Sequence, residues 1–191
     1  MRAVLISIQP KWCELIASGK KTVEVRKTKP KIDVPFKCYI YETQGRTETP
    51  FVDEEGHEIF KGRGQVIGEF VCKRIDRIGK RGGNNNFDYC YLPLVWGNDD
   101  IEVEITDIRK SCIAINDLNS YGASSTCLYA WHITDLVVYD KPKELSEFER
   151  ACPDNVRSCA MCRHSGFSAM KCLPLTRPPQ SWCYVEERSD R

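Results

Sequence analysis

Helical periodicity is scarce in this chain and short β-rich segments are frequent, and that imbalance limits the fold more than any other feature. Seven segments are rich in β-branched and aromatic residues or alternate apolar with polar ones. They are 3–8 (AVLISI), 22–26 (TVEVR), 36–43 (FKCYIYET), 65–76 (QVIGEFVCKRID), 101–108 (IEVEITDI), 127–140 (CLYAWHITDLVVYD) and 181–187 (SWCYVEE). Such residues suit a pleated, half-buried surface. At 10–19, PKWCELIASG places apolar residues on one side at helical spacing, with Pro10 where a first turn tolerates a missing N–H and Gly19 as the stop. IAINDLNSYG at 113–122 reads as a short helix or a turn, and KELSEFER at 143–150 as a helical turn or two. Many short strands with few helices predict a closed or nearly closed β-barrel with peripheral helices, an α+β fold. Two polar stretches, 46–64 and 80–100, read as inserted loops, the second with GGNNN inside it.

The charge balance narrows the function classes. Across 191 residues, 28 Lys and Arg face 27 Asp and Glu, a formal net charge of +1. That excludes a strongly basic binding arm. Residues 1–40 carry nine cations against three acids, whereas residues 41–60 hold six acids against Arg46. The first third therefore faces anions, but a continuous duplex-binding surface is not expected. Solvated surface charge is the competing reading. No apolar run reaches the roughly 18 residues that span a bilayer, and the N-terminus turns polar before a signal-peptide core forms. The expectation is a cytoplasmic protein with no membrane partner.

Eleven cysteines are an odd and high count, and without an export signal metal ligation is favoured over disulfides. Cys13, Cys38, Cys72, Cys90, Cys112 and Cys127 are scattered, mostly inside apolar patterns, and read as small buried hydrophobes. The tail differs: Cys152, Cys159, Cys162 and Cys172 fall within twenty-one residues, with His164 and Cys183 nearby. A C-x2-C turn brings two thiolates to one ion and two further cysteines complete a tetrahedron, so these four are the expected ligands of a structural zinc. Free thiols, a disulfide or an iron–sulfur cluster are the alternatives, and Cys183, inside an alternating strand, reads as core. The predicted organisation is a barrel over 1–149, a zinc-stapled cysteine-rich element over 150–175, and a final strand and tail over 176–191.

One constellation carries chemistry. Gly19-x-Lys21-x-x-Glu24-x-Arg26 follows a turn with a strand, so Glu24 and Arg26 share a face and Lys21 lies just before them. A carboxylate between two cations stays ionised and can read an amino group, while the cations hold a phosphate or carbonyl. Trp12, Trp131 or Trp182 could supply a stacking plane. An ordinary surface ion pair is the plainer reading of Glu24 and Arg26, and alternation buries one of Trp131 and His132.

Together with Ser7-Ile8-Gln9-Pro10 and Ile16, this constellation resembles the ASCH family, the activating signal cointegrator homology domains with a PUA-like barrel. Tyr129-Ala130-Trp131-His132-Ile133 and Arg177-Pro178-Pro179-Gln180-Ser181-Trp182 are similar to segments of phage and prophage ASCH proteins of like length, so a phage or bacterial source is expected. The resemblance covers most of 1–145 and the final strand, with the insertions near 45–63 and 80–100 outside it. It implies binding of a nucleotide, a modified nucleoside or single-stranded RNA or DNA, with Gln9, Trp12, Lys21, Glu24, Arg26, Gln180, Ser181 and Trp182 as ligand contacts. The family also contains amidohydrolases acting on acylated cytidines through a Lys, a Thr and a Glu. Lys21 matches that lysine, but Glu24 occupies the threonine's place and Thr22 would point to the other face. The alternative function is therefore an enzyme on modified nucleosides or RNA with Lys21 and Glu24 in acid–base roles. A third is a protein-interaction adaptor, which the acidic loops would suit.

Overall fold

The strands among the described residues sort into three sheets, of six, four and two strands, rather than one continuous wall. The computed structural model describes residues 2–44, 51–52, 58–59, 62–83, 86–91, 108–123, 125–151 and 174–187. In chain order the elements are β1 (Ala3–Ile8), α1 (Pro10–Ala17), β2 (Val23–Arg26), β3 (Phe36–Glu42), β4 (Phe51–Val52), β5 (Glu58–Ile59), β6 (Val66–Cys72) and β7 (Ile75–Gly83). Then follow β8 (Asn86–Tyr91), a 3-10 turn (Ile108–Ser111), α2 (Ile115–Gly122), β9 (Cys127–His132), β10 (Thr134–Lys143), a second 3-10 turn (Leu145–Glu147), β11 (Phe148–Arg150) and β12 (Trp182–Glu187). Two compact units result: Met1–Cys13 with Lys37–Phe70 and Leu136–Arg191, and Glu14–Phe36 with Val71–Asp135.

The first unit is built on a six-stranded sheet of order β10-β6-β3-β1-β12-β11. β1 is buried along its whole length, as its apolar run, interrupted only by Ser7, favours. It pairs in parallel with β3, Val4 opposite Cys38, and antiparallel with β12, Leu5 opposite Cys183. Leu5, Tyr39, Tyr41, Val66, Phe148 and Val185 form its core. The Tyr39 and Phe148 rings meet edge to face at 4.8 Å.

The second unit holds a four-stranded sheet of order β2-β9-β7-β8. Its registers are antiparallel, with Val25 opposite Ala130 and Ile78 opposite Leu128. Val23, Val25, Ile78, Leu128 and Ala130 make one apolar face, completed by Leu118 of α2. Trp131 points to the other face, fully buried, with the Phe36 ring edge-on at 5.8 Å.

Three expectations from the sequence need correction. Among the described residues there is no closed barrel: β2 pairs with β9 and not with β1, so neighbouring strands of the N-terminal segment end in different sheets. Alternation tells which face a residue occupies but not which strand will pair with it. Segments 65–76 and 127–140 are each two strands, because the chain leaves one sheet for the other at Lys73-Arg74 and at Ile133. There Lys73 pairs with Asp135 at 2.8 Å and Thr134 Oγ1 donates to the Val71 carbonyl at 2.7 Å. Asp135 sits at φ 49°, a left-handed conformation that aspartate tolerates. Finally, neither polar stretch is wholly a loop: within 46–64, β4 pairs antiparallel with β5, and within 80–100, β7 and β8 pair with Gly83 opposite Asn86, so FDYCY belongs to a strand.

Of the cysteines, Cys13, Cys38, Cys72 and Cys183 are buried and Cys112 and Cys127 half-buried. Burial pushes the Cys72 thiol up to about 12, the mark of an inert packing residue. Cys152, Cys159, Cys162 and Cys172 lie outside the described residues, as does 101–107. No helix among the described residues is long and apolar enough to cross a membrane.

Candidate functional site

Local sequence places the three charged residues. α1 ends at Ala17, the Ser18 amide bonds to the Glu14 carbonyl, and Gly19 turns the chain at φ 75°, a conformation that costs glycine least. The Lys21 amide then reaches back to the Leu15 carbonyl at 2.8 Å, which fixes the entry into β2. The Thr22 amide donates to the Lys110 carbonyl at 3.0 Å, and the Ile133 amide to the Thr22 carbonyl at 2.9 Å. Thr22 thereby ties β2 to the 3-10 turn on one side and to the end of β9 on the other.

The result is a buried ionic triad. Lys21 Nζ lies 3.2 Å from Glu24 Oε2, and Arg26 Nε lies 3.0 Å from Glu24 Oε1. The Lys21 side chain has 0% exposure, Glu24 8% and Arg26 11%. Lys21 Nζ also donates to the Ser111 carbonyl at 2.6 Å. The printed contacts set two cations on one carboxylate, and burial strengthens each of these interactions. Lys21 is the internal member that holds the carboxylate, and Glu24 and Arg26 are the members that retain some exposure.

Two residues join this site without any signal at the triad's own position in the sequence. Ser111, fully buried, supplies the carbonyl that anchors Lys21. Tyr121 of α2 lies beside the triad: burial raises its hydroxyl above the ordinary tyrosine range, with Arg26 opposing and Glu24 reinforcing that shift. Lys27 Nζ sits over the same ring, 5.1 Å from its centroid. The other candidates belong to the first unit. The exposed Gln9 accepts the Trp12 and Cys13 amides at its carbonyl, which starts α1, and Lys11 Nζ stands 5.3 Å from the centroid of the half-buried Trp12 ring. The Ser7 amide donates to the Ser181 carbonyl at 2.9 Å and the Ser7 hydroxyl to the Pro179 carbonyl at 2.6 Å. With Ile6 opposite Trp182, these bonds bring Ser7–Gln9 and 179–182 together at one end of β1. Gln180 there is exposed and Trp182 half-buried. Trp131 belongs to the core, while His132 Nε2 lies 2.8 Å from Asp76 Oδ2, which identifies the buried member of that neighbouring pair. Among the described residues no group of three His, Cys, Asp or Glu side chains could hold a metal ion.

The protein-family model described as ASCH domain matches residues 6–153. The chain belongs to the ASCH domain family. The match runs through both polar stretches, so 46–64 and 80–100 lie within the span of this ASCH domain. The solved ASCH structure from Zymomonas mobilis is 17% identical, covering 96% of this chain and 87% of that one with a TM-score of 0.53. Two variants of that protein superpose alike. A Tyr-to-Phe form is 18% identical, covering 96% and 90% at a TM-score of 0.52, and a Ser-to-Ala form is 17% identical, covering 96% and 88% at 0.51. At these identities the likeness establishes the ASCH fold. No curated protein matches the chain by sequence.

Proposed function

We propose that this ASCH protein binds a base-bearing anion, a nucleotide or a segment of single-stranded nucleic acid, at Glu24 and Arg26, with Lys21 as the positioning residue behind them. The observation that carries this reading is the buried triad itself, a carboxylate held between a lysine and an arginine, with Glu24 and Arg26 retaining some exposure. A surface ion pair would be solvated and worth under about 1 kcal/mol, whereas this one is buried and held internally by the Ser111 carbonyl. Glu24 accepts a base amino group, Arg26 donates to phosphate or carbonyl oxygens, and Lys21 holds Glu24 in place.

Calorimetric titration with the four ribonucleoside monophosphates tests it. Arg26→Ala should weaken binding by about 1.5–3 kcal/mol, the scale of a hydrogen bond to a charged group. Glu24→Gln should change the preference among bases while circular dichroism stays as in wild type. Unchanged affinities in both variants would overturn the reading. Turnover of an acylated cytidine or RNA by wild type, abolished in Glu24→Gln with binding retained, would replace it with the hydrolase alternative.

The four tail cysteines complete the proposal. Cys152, Cys159, Cys162 and Cys172 offer four soft thiolates, a donor set suited to structural zinc with no position left open for substrate. The metal's part is to order a segment too short to make its own core.

A further inference from the structure

β10 ends the six-stranded sheet, and among the described residues no strand pairs with its outer edge. An open edge is a template for another strand, and proteins usually blunt it with charge, proline or a bulge. Here the blunting lies at the two ends of β10: Asp135 at φ 49° near the start, and Asp140, Lys141 and Pro142 toward the finish. The middle, Leu136-Val137-Val138-Tyr139, carries no charge. Val137 and Val138 are each 49% exposed, more than any other large apolar side chain among the described residues. Neighbours on a strand point to opposite faces, so both faces of the edge are open there. Backbone direction is fixed as well. A Cβ placed on Gly68 of β6 would lie 2.4 Å from the Val137 carbonyl oxygen and 3.4 Å from its carbon, so that carbonyl is turned toward β6. Successive residues of a strand direct their backbone groups to opposite sides, and the Val138 N–H and C=O therefore face the open edge, with those of Leu136 and Asp140.

We propose that two copies of this chain pair edge to edge through β10, antiparallel about a two-fold axis at Val138, so that their six-stranded sheets join into one. A two-fold contact requires a surface that matches itself, and charge and hydrogen bonding single out the register in which β10 does so. Both members of a hydrogen-bonded pair must face the edge. That excludes an axis between Val137 and Val138, which would also set Asp135 near Asp140 of the other copy. With the axis at Val138, that residue meets its own copy, Leu136 meets Asp140, Val137 meets Tyr139 and Asp135 meets Lys141. The outermost of these pairs joins opposite charges, and an aromatic ring against a β-branched side chain is a favoured cross-strand pair. An axis at Val137 would put Asp135 opposite Tyr139 and lose the charge match. One at Tyr139 would set Pro142, which has no N–H to donate, in a bonding position opposite Leu136.

Sedimentation velocity of the full chain over a range of concentrations tests the pairing. Wild type should pass from monomer to dimer as concentration rises. Val138→Lys sets like charges against each other at the axis and should weaken the dimer by about tenfold or more. The thermal midpoint should be kept, since the side chain replaced is exposed. Lys141→Glu should also weaken the dimer, and far less so in an Asp135→Asn background, where the charge it would meet is gone and asparagine tolerates the same φ. Cross-linking under oxidised glutathione reads the register. The Cα atoms of a hydrogen-bonded antiparallel pair stand about 5.5 Å apart, within disulfide reach. Val138→Cys should therefore give a reducible dimer above the wild-type background, and Asp140→Cys should not. Wild type that stays monomeric up to its solubility limit would overturn the proposal. A dimer whose affinity Val138→Lys leaves unchanged would overturn it too, by placing the contact elsewhere on the surface. Cross-linking through Asp140→Cys in place of Val138→Cys would overturn the register.

Discussion

A fully buried lysine persists only where its charge is answered, and Lys21 is answered by Glu24 Oε2 and by the Ser111 carbonyl. The consequence is structural. Lys21→Met should destabilise the protein by about 3 kcal/mol, since removing one partner of a buried pair leaves the other's charge poorly compensated. Urea unfolding monitored by fluorescence measures it, and an unchanged midpoint would mean that Lys21 is a ligand contact and not an anchor. The spacing of Lys21, Glu24 and Arg26 was readable because two residues apart on a strand means one face. The anchor was not, because Ser111 is 90 residues from Lys21 in sequence and its contribution is a backbone carbonyl that any residue could offer. Tyr121 was hidden for a similar reason: in sequence it is only the end of a short polar helix.

At the scale of elements, propensity identified most strands and the first helix, left the second open between a helix and a turn, and missed where strands stop. The break at Ile133 lies inside a segment rich in apolar, aromatic and β-branched residues, and the strand ends there where the pairing partner changes, β9 to β7 and β2 but β10 to β6. The hairpin of β7 and β8 shows the converse. Its run of glycine and asparagine was visible, yet the polar flanks concealed the alternation of Phe87, Tyr89 and Tyr91 opposite Gly82, Lys80 and Ile78. The cysteine-rich element makes its own prediction. Metal analysis of freshly purified, reduced protein should find about one equivalent of zinc, and Cys159→Ser or Cys162→Ser should lose it while the cooperative unfolding of the sheets persists. Protein free of both zinc and iron would contradict that assignment.

Over the whole molecule a net charge of +1 conceals how the fold distributes sign. Glu69 is matched by Lys37, Asp76 by Arg74 and Asp135 by Lys73, whereas Lys21 and Arg26 both contact Glu24, and Lys27 and Lys29 lie over the Tyr121 and Tyr129 rings. Composition could exclude a long basic footprint but could not locate a short one, because location depends on strand register. Few phosphate contacts fit that limit, and so does a site that takes its specificity from a buried carboxylate. Native mass spectrometry of what the protein retains on gentle purification tests the central claim most directly. Wild type should carry a base-bearing anion, mononucleotide or short oligonucleotide, and Arg26→Ala purified in parallel should have lost it. Wild type free of any such species at low salt, or the same species retained by Arg26→Ala, would contradict the account.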